Sequence, residues 1–406
     1  MQYRTFGKLD WRPSALGFGC MRLPILEDDP ARIDEPEATR MLRTAIDGGV
    51  NYVDTAYSYH RETSETFVGR ALSDGYREKV RLATKLPSWL IQTPGDFDRY
   101  LDEQLERLQT QTIDFYLLHT LGRERWRILR DLGVLSWAER AMAEGRFRHL
   151  GFSFHDDFDA FREIVDAYNG WTFCQIQYNY MDEDFQAGAK GLRYAAERGL
   201  AVIVMEPLRG GMLAQNIPPA IQALWDSYLA PAARSDSRLL ALATAGGTEG
   251  GVHRTPADWA LQWVWNQPEV SLALSGMNTL QQVEENLASA DRSGPGTLTP
   301  DELALIDRVK QEYRELCAIP CTDCRYCQPC PNGVAISRIF AIYNEALMYN
   351  ALDRSRMVYE QWMREDERAD CCLACGECES ACPQGIEIIE WLKKAHEMLG
   401  PKQISP

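Results

Sequence analysis

Residues 80–120, VRLATKLPSWLIQTPGDFDRYLDEQLERLQTQTIDFYLLHT, decide the fold. The run 80–86 is short, apolar and rich in strand-favouring residues, and 113–120 repeats that pattern. Between them DFDRYLDEQLERLQ carries apolar side chains at helical spacing. Strand, helix, strand is the unit that builds a parallel sheet. The alternation continues on both sides and marks strands at 15–20, 52–56, 80–86, 113–120, 149–155, 173–179, 200–208 and 271–277. Stretches such as EATRMLRTAIDGG and LQQVEENLASA supply further amphipathic helices, several closed by glycine. Eight such units predict an α/β fold, a TIM-type (β/α)8 barrel. A doubly wound sheet is the rival, and its phosphate fingerprint is missing. Gly17-Phe18-Gly19 is followed by Cys20, Met21 and Arg22, so the third glycine never arrives.

Beyond the strands, residues 230–252, APAARSDSRLLALATAGGTEGGV, predict a mobile loop on the strand-end side of the barrel, serving as a lid or packing cover. TPDELALIDRVKQEYREL predicts a helix capped by Thr299 that leads into a cysteine-rich tail. The tail's spacer, SRIFAIYNEALMYNALDRSRMVYEQWM, and its end, IIEWLKKAHEML, keep helical spacing, so a small, mostly helical domain is expected. The boundary falls between 316 and 317, giving a barrel at 1–316 and a tail at 317–406.

The 406-residue chain is 45% hydrophobic, enough for one large core and a smaller appendage. A formal charge of −16 disfavours nucleic acid and anionic membranes as partners. No leader-like or membrane-spanning apolar stretch is read in the sequence. Eight of the 12 cysteines fall in two tight runs, a pattern that suits metal chemistry in a reducing compartment, so a cytoplasmic location is expected.

In such a barrel chemistry sits where strands end. Asp54 closes strand two, Tyr59 lies in the loop behind it, Lys85 closes strand three and His119 closes strand four. Reduction of a carbonyl by hydride leaves an alkoxide that needs a proton. Tyr59 can supply it if a neighbouring ammonium, Lys85, draws its pKa below the usual value of about 10. Asp54 would anchor Lys85, and His119 would orient the carbonyl oxygen by a hydrogen bond. Singly these residues read as a helix cap, a snorkelling lysine and a core histidine. Four polar residues at successive strand ends are hard to explain as packing.

With NYVDTAYSY, ATK and YLLH in place, the chain resembles the aldo-keto reductase family over roughly residues 1 to 316. The resemblance implies an NAD(P)H-dependent oxidoreductase acting on an aldehyde, ketone or sugar, with Asp54, Tyr59, Lys85 and His119 as its catalytic residues. It also implies a cofactor site at Gly19, Cys20, Met21, Asp54, Ser153, Gln175, Met205, Pro207, Leu208, Arg209, Gly210, Ser275, Gly276, Met277, Gln282, Glu285 and Asn286. Ser153 and Gln175 would hold the carboxamide, and backbone amides near Leu208 with the Arg209 cation would hold the pyrophosphate. NADP(H) is the family expectation and NAD(H) the alternative. Four departures stand out. His60 follows Tyr59 where glycine is usual, Phe154 follows Ser153, Met205 replaces a stacking aromatic ring, and Gln282 stands where some members place arginine on the 2′-phosphate.

The tail carries CTDCRYCQPCP, with Cys321, Cys324, Cys327 and Cys330, and CLACGECESACP, with Cys372, Cys375, Cys378 and Cys382. The second run has full bacterial-ferredoxin spacing, in which the cysteine beside proline reaches across to the other cluster. Two 4Fe-4S clusters are expected, one on Cys321, Cys324, Cys327 and Cys382, the other on Cys372, Cys375, Cys378 and Cys330. The first run is one residue short, so Cys317 or Cys371 could replace Cys330. Structural zinc is the competing reading. Cys20 and Cys174 read as small buried hydrophobes. The tail resembles dicluster ferredoxin domains of the α-helical type, as found at the C-terminus of some aldo-keto reductase relatives.

Hydride transfer moves two electrons and each cluster takes one. No flavin fingerprint is present to convert between them. Structural or redox-sensing clusters beside an ordinary reductase are therefore the first expectation. The alternatives are a single-electron relay to or from a redox protein partner, and a docking module for a larger redox complex. After strand four, LGRERWRILRDLG carries Arg123, Arg125, Trp126, Arg127 and Arg130, which read as a solvated basic face or a contact with the acidic cluster domain. An anionic substrate is the alternative.

Overall fold

The computed structural model describes residues 1–228 and 254–401, so the lid predicted at 230–252 lies outside the described residues. The chain forms two compact units, Met1–Gly210 with Ala257–Thr299, and Gly211–Pro256 with Pro300–Pro406.

In the first unit eight strands follow the expected order: β1 (Leu16–Gly19), β2 (Tyr52–Asp54), β3 (Arg81–Leu86), β4 (Ile113–Leu121), β5 (Phe147–Phe154), β6 (Phe173–Gln177), β7 (Ala201–Met205) and β8 (Val270–Ser275). Neighbours pair in parallel and β8 pairs back onto β1, so the sheet is a closed barrel. The strands are nearly continuous apolar runs, as a sheet buried on both faces requires. β6 and β7 stop short of the expected 179 and 208. Their last pair is Gln177 with Met205, and Glu206 then adopts a φ of 56°, which no strand continues through.

No strand is expected at residues 3–14 from the sequence pattern. They form a small antiparallel hairpin, with bridges Tyr3 to Ser14 and Phe6 to Leu9. Its Phe6 is fully buried, with ring centroids 4.9 Å from Phe115 and 5.8 Å from Phe173. Tyr52, Phe115, Phe173 and Ala201 lie at or near strand beginnings, so this aromatic plug closes the N-terminal end of the barrel. The C-terminal rim is left for chemistry.

β4 pairs with β5 in register up to Leu118 and shifts before Leu121. Thr120, with φ 52°, sits in this irregularity. A bulge re-aims the side chains beside it, here His119 at the rim.

The second unit is helical: Pro219–Asp226, Pro300–Glu315, Ile336–Met348, Leu352–Gln361, Glu377–Ser380 and Ile388–Leu399. Its core includes Ile339, Phe340, Tyr359, Ile388 and Leu392, and most of the cysteines of the two runs pack against it. The Asn344 side chain ties the first run to this core, donating to Ile319 O (2.8 Å) and accepting from Ile319 N (2.9 Å). Helix Pro300–Glu315 lies in this unit, where Tyr313 stands 5.1 Å from the Tyr349 ring. No described helix is long and apolar enough to cross a membrane.

Candidate active site and cluster cavities

Strand ends β2 and β3 bring Asp54 and Lys85 together at the rim. The Lys85 ammonium donates to Asp54 Oδ1 (2.5 Å), to the Thr55 carbonyl (2.8 Å) and to Tyr59 Oη (3.1 Å). All three donors of the ammonium are thus engaged. His119 joins from the bulged end of β4, its ring centroid 6.0 Å from that of Tyr59. Asp54, Lys85 and His119 are buried and Tyr59 is partly exposed. The four residues proposed from their strand-end positions therefore converge.

Burial opposes the Lys85 charge, but Asp54 and Tyr59 outweigh it and raise its pKa. Burial likewise pushes the Asp54 carboxyl up against the pull of Lys85. For Tyr59 the expectation needs correction: desolvation dominates and raises the phenol above its ordinary value, while Lys85 pulls in the opposite direction. The expected lowering considered the ammonium and not the burial. Burial, then the charges of Lys85 and Arg125 among others, holds His119 well below the usual histidine value, so its imidazole is neutral near pH 7. Its buried Nδ1 has no hydrogen-bond partner among the described residues.

The proposed cofactor positions occupy the same rim. Gly19 pairs with Asp54 across β1 and β2, Ser153 with Gln175 across β5 and β6, and Ser275 closes β8. Gln175 Nε2 donates to Asp54 Oδ2 (3.2 Å), which links this row to the ion pair. Ser153 Oγ accepts from Thr120 N (2.8 Å), and Asn286 donates to Ser275 Oγ (3.1 Å). A Cβ on Gly19 would stand 3.3 Å from the Ser275 carbonyl, so the chain keeps this approach narrow. Cys20 and Met277 are buried and Met21 is exposed. Met205 ends β7, and Pro207 and Leu208 follow it into a turn where Arg209 and Gly210 take left-handed φ of 48° and 66°. Arg209 is paired with Asp182, so the cation proposed for a pyrophosphate already has a partner. Gln282 Oε1 accepts from Asn278 N (2.9 Å), Gly276 lies beside Arg22, and Glu285 is exposed.

In the second unit one cavity is lined by Cys321, Cys324, Cys327 and Cys382, and another by Cys330, Cys372, Cys375 and Cys378, with Cys327 also reaching the wall of the second. These are the two sets expected from ferredoxin spacing. Cys317 and Cys371 line neither cavity. Their thiols donate instead to the carbonyls of Ile319 and Glu365, each at 3.3 Å. Left-handed residues recur at matching places in the two loops, Asp323 and Arg325 in one, Ala374 and Gly376 in the other. The two runs thus curl alike, and each cavity has in its lining the four cysteines of one expected set, the number of ligands an iron-sulfur cubane takes.

Residues 15–311 match the model of the aldo/keto reductase family. The chain belongs to that family. Residues 320–387 match a 4Fe-4S dicluster domain. The reductase is 26% identical over 296 residues to "Probable aldo-keto reductase 1" of Glycine max, covering 70% of this chain and 82% of the relative. It is also 26% identical over 329 residues to L-galactose dehydrogenase of Arabidopsis thaliana, covering 78% and 96%. Among solved structures it is similar to the holo form of an aldo-keto reductase of Bacillus halodurans, with TM-score 0.56 and 26% identity over 76% of this chain and 96% of that one. An aldo-keto reductase of Klebsiella pneumoniae in complex with NADPH gives TM-score 0.54 and 25% identity at the same coverage.

Several residues that shape the reductase site take no role from the sequence pattern, in which His60 is marked only as a departure from glycine. Behind Lys85, Gln104 donates to the Lys85 carbonyl (3.0 Å) and to buried Glu65 (2.6 Å), which also accepts from Thr84 (2.6 Å). This network holds the end of β3. His60, where glycine is usual, keeps a left-handed φ of 51°. Its imidazole bridges two backbone groups, accepting from Leu23 N (3.1 Å) and donating to Pro30 O (2.9 Å). Those bonds offset the cost of a side chain at a position with that φ and hold the loop behind Tyr59. Trp89, 5.2 Å from the His119 ring, was likewise missed. A spacing rule cannot find such residues, because partners such as Glu65 for Gln104, Leu23 for His60 and His119 for Trp89 lie on other segments, far from them along the chain.

Proposed function

We propose that this oxidoreductase reduces the carbonyl of an aldehyde, ketone or sugar with NADPH, using the barrel at 1–316, and that the domain at 317–406 holds two 4Fe-4S clusters in a structural or redox-sensing role. The observation that carries the reading is the Lys85 ammonium bonded at once to Asp54 and Tyr59 on the barrel rim. NADPH would supply the hydride. Tyr59 hands its proton to the carbonyl oxygen, and Lys85 favours the phenolate that remains. Asp54 keeps Lys85 charged and fixed, and neutral His119 offers an N–H to the oxygen. Ser153, Gln175, Ser275 and Asn286 would seat the cofactor, with the turn at Arg209 and Gly210 beneath its phosphates. Cys321, Cys324, Cys327 and Cys382 would hold one cluster, and Cys330, Cys372, Cys375 and Cys378 the other. A cytoplasmic setting suits these reduced thiols.

The test is one anaerobic preparation. Iron and sulfide near eight each per chain, the content of two four-iron clusters, with tight NADPH binding and no bleaching of cluster absorbance, support the reading. A Tyr59→Phe variant should then lose about 10²–10⁴-fold in kcat. Bleaching by NADPH would make the clusters electron carriers, and zinc in place of iron would remove them.

A further inference from the structure

Of the four arginines after β4, three have ordinary surroundings. Arg123 pairs with Asp157 and Glu163, both at 3.2 Å, Arg130 pairs with Asp131 at 3.6 Å, and Arg127 is exposed. Arg125 differs. It is half-buried, its Nη1 donates to Thr120 Oγ1 (3.0 Å), and its Cζ lies 5.8 Å from the Trp89 ring. The same indole lies 5.2 Å from the His119 ring. Arg125 forms no ion pair among the described residues. Burial lowers its pKa, and among the described residues the carboxylate that opposes this is Glu124, its neighbour in the chain. A half-buried arginine without a counter-ion among the described residues gains from a bound anion.

The surroundings narrow that anion. The charge of Arg125 reaches His119 and His155, both of which burial keeps low in pKa, so neither imidazole adds a second cation near pH 7. One guanidinium matches one carboxylate, whereas a phosphate monoester would bring up to two charges. Trp89, 39% exposed, supplies a flat apolar face that both the cation and the histidine approach. Thr120 ties the arrangement to the proposed carboxamide seat through Ser153.

We infer that the substrate of this reductase is a carbonyl compound carrying a carboxylate, seated on Arg125 with its body along Trp89 and its carbonyl at His119 and Tyr59. The inference rests on the carbonyl reduction proposed above and adds the substrate class. Hydride reaches the carbonyl carbon from NADPH, Tyr59 protonates the oxygen, and the carboxylate is left unchanged.

Turnover of 4-formylbenzoate and of its methyl ester tests the inference, because the two differ chiefly in the charge. The wild-type kcat/KM should favour the acid by about tenfold or more, as a charge-assisted hydrogen bond allows. Arg125→Gln should abolish that ratio through the KM of the acid, Arg125→Lys should keep part of it, and Arg127→Gln should leave it intact. A wild-type ratio near one, or an equal loss on both substrates in Arg125→Gln, overturns the inference. Calorimetric binding of 4-(hydroxymethyl)benzoate gives a readout free of turnover. If that acid binds in an Arg125-dependent way while neither aldehyde is reduced, the carboxylate seat stands and the carbonyl-reductase reading falls. If both aldehydes are reduced without preference and the acid binds no better than its ester, the seat falls and the reductase reading stands.

Discussion

At the barrel rim every donor of the Lys85 ammonium has a protein partner, and Gln104 and Glu65 brace the strand behind it. The cysteine cavities are built otherwise. Their cysteines are half-buried or exposed, and all but Cys378 lie in the segments between helices. One site is held by buried charges that satisfy each other within a large core. The other is a set of donors around a space, with a modest apolar core at its back. The rim's polar side chains have their partners within the protein. The cysteine unit should owe much of its order to what it binds.

Removing the iron should give the largest effect. Where a bound metal organises a small domain, its binding free energy becomes folding free energy. Chelation under mild oxidation should open residues 317–400 to protease and erase one calorimetric transition, while the barrel transition persists. A protease-resistant tail without iron would mean that the helices stand on their own core and would break the comparison.

Lys85→Met attacks the rim. It leaves Asp54 buried without its counter-charge, and loss of one partner of such a pair costs about 3–5 kcal/mol. Denaturant titration should recover part of that loss when Asp54→Asn is added. No recovery would show that packing of the lysine stem, rather than charge, holds the rim.

Between the two runs, Cys330→Ser should cost about half of the bound iron, as one cluster of two, whereas Cys317→Ser and Cys371→Ser should cost none. Iron analysis decides it, and the reverse pattern would reassign the crossover ligand.

The smallest effect is the pH dependence of the barrel. Burial holds His60, His119, His149 and His155 below their ordinary pKa. The unfolded chain takes up protons near pH 6.5, while the fold still refuses them. Stability from these residues is therefore fully present above about pH 6.5 and is lost as pH falls from there through each folded value. The barrel Tm should decline from pH 7 to pH 5, and less steeply in His149→Gln. A Tm that rises on acidification would contradict the burial of these rings.

What could be read in the sequence was what depends on near neighbours along the chain. The alternation of 113–120 with DFDRYLDEQLERLQ carried the strand and helix order, because periodicity is a local property. The strand-end places of Asp54, Lys85 and His119 followed, since a parallel barrel sends every strand end to one rim. The two cysteine sets were legible because three thiols spaced by two residues curl around one cubane.

Tertiary structure decided the rest. The Tyr59 pKa depends on desolvation by the whole rim, which outweighs the adjacent ammonium. Phe6 became the plug of the barrel only through contact with Phe115 and Phe173, far along the chain. Helix Pro300–Glu315, expected to lead into the cysteine domain, groups with the cysteine-bearing unit through contacts such as Tyr313 with Tyr349. Arg125 is indistinguishable from Arg127 in sequence, and only the turn of their helix against Trp89 and Thr120 separates a half-buried cation from a solvated one. Pairing and burial are set by neighbours in space, and those are known only once the chain has closed into its barrel.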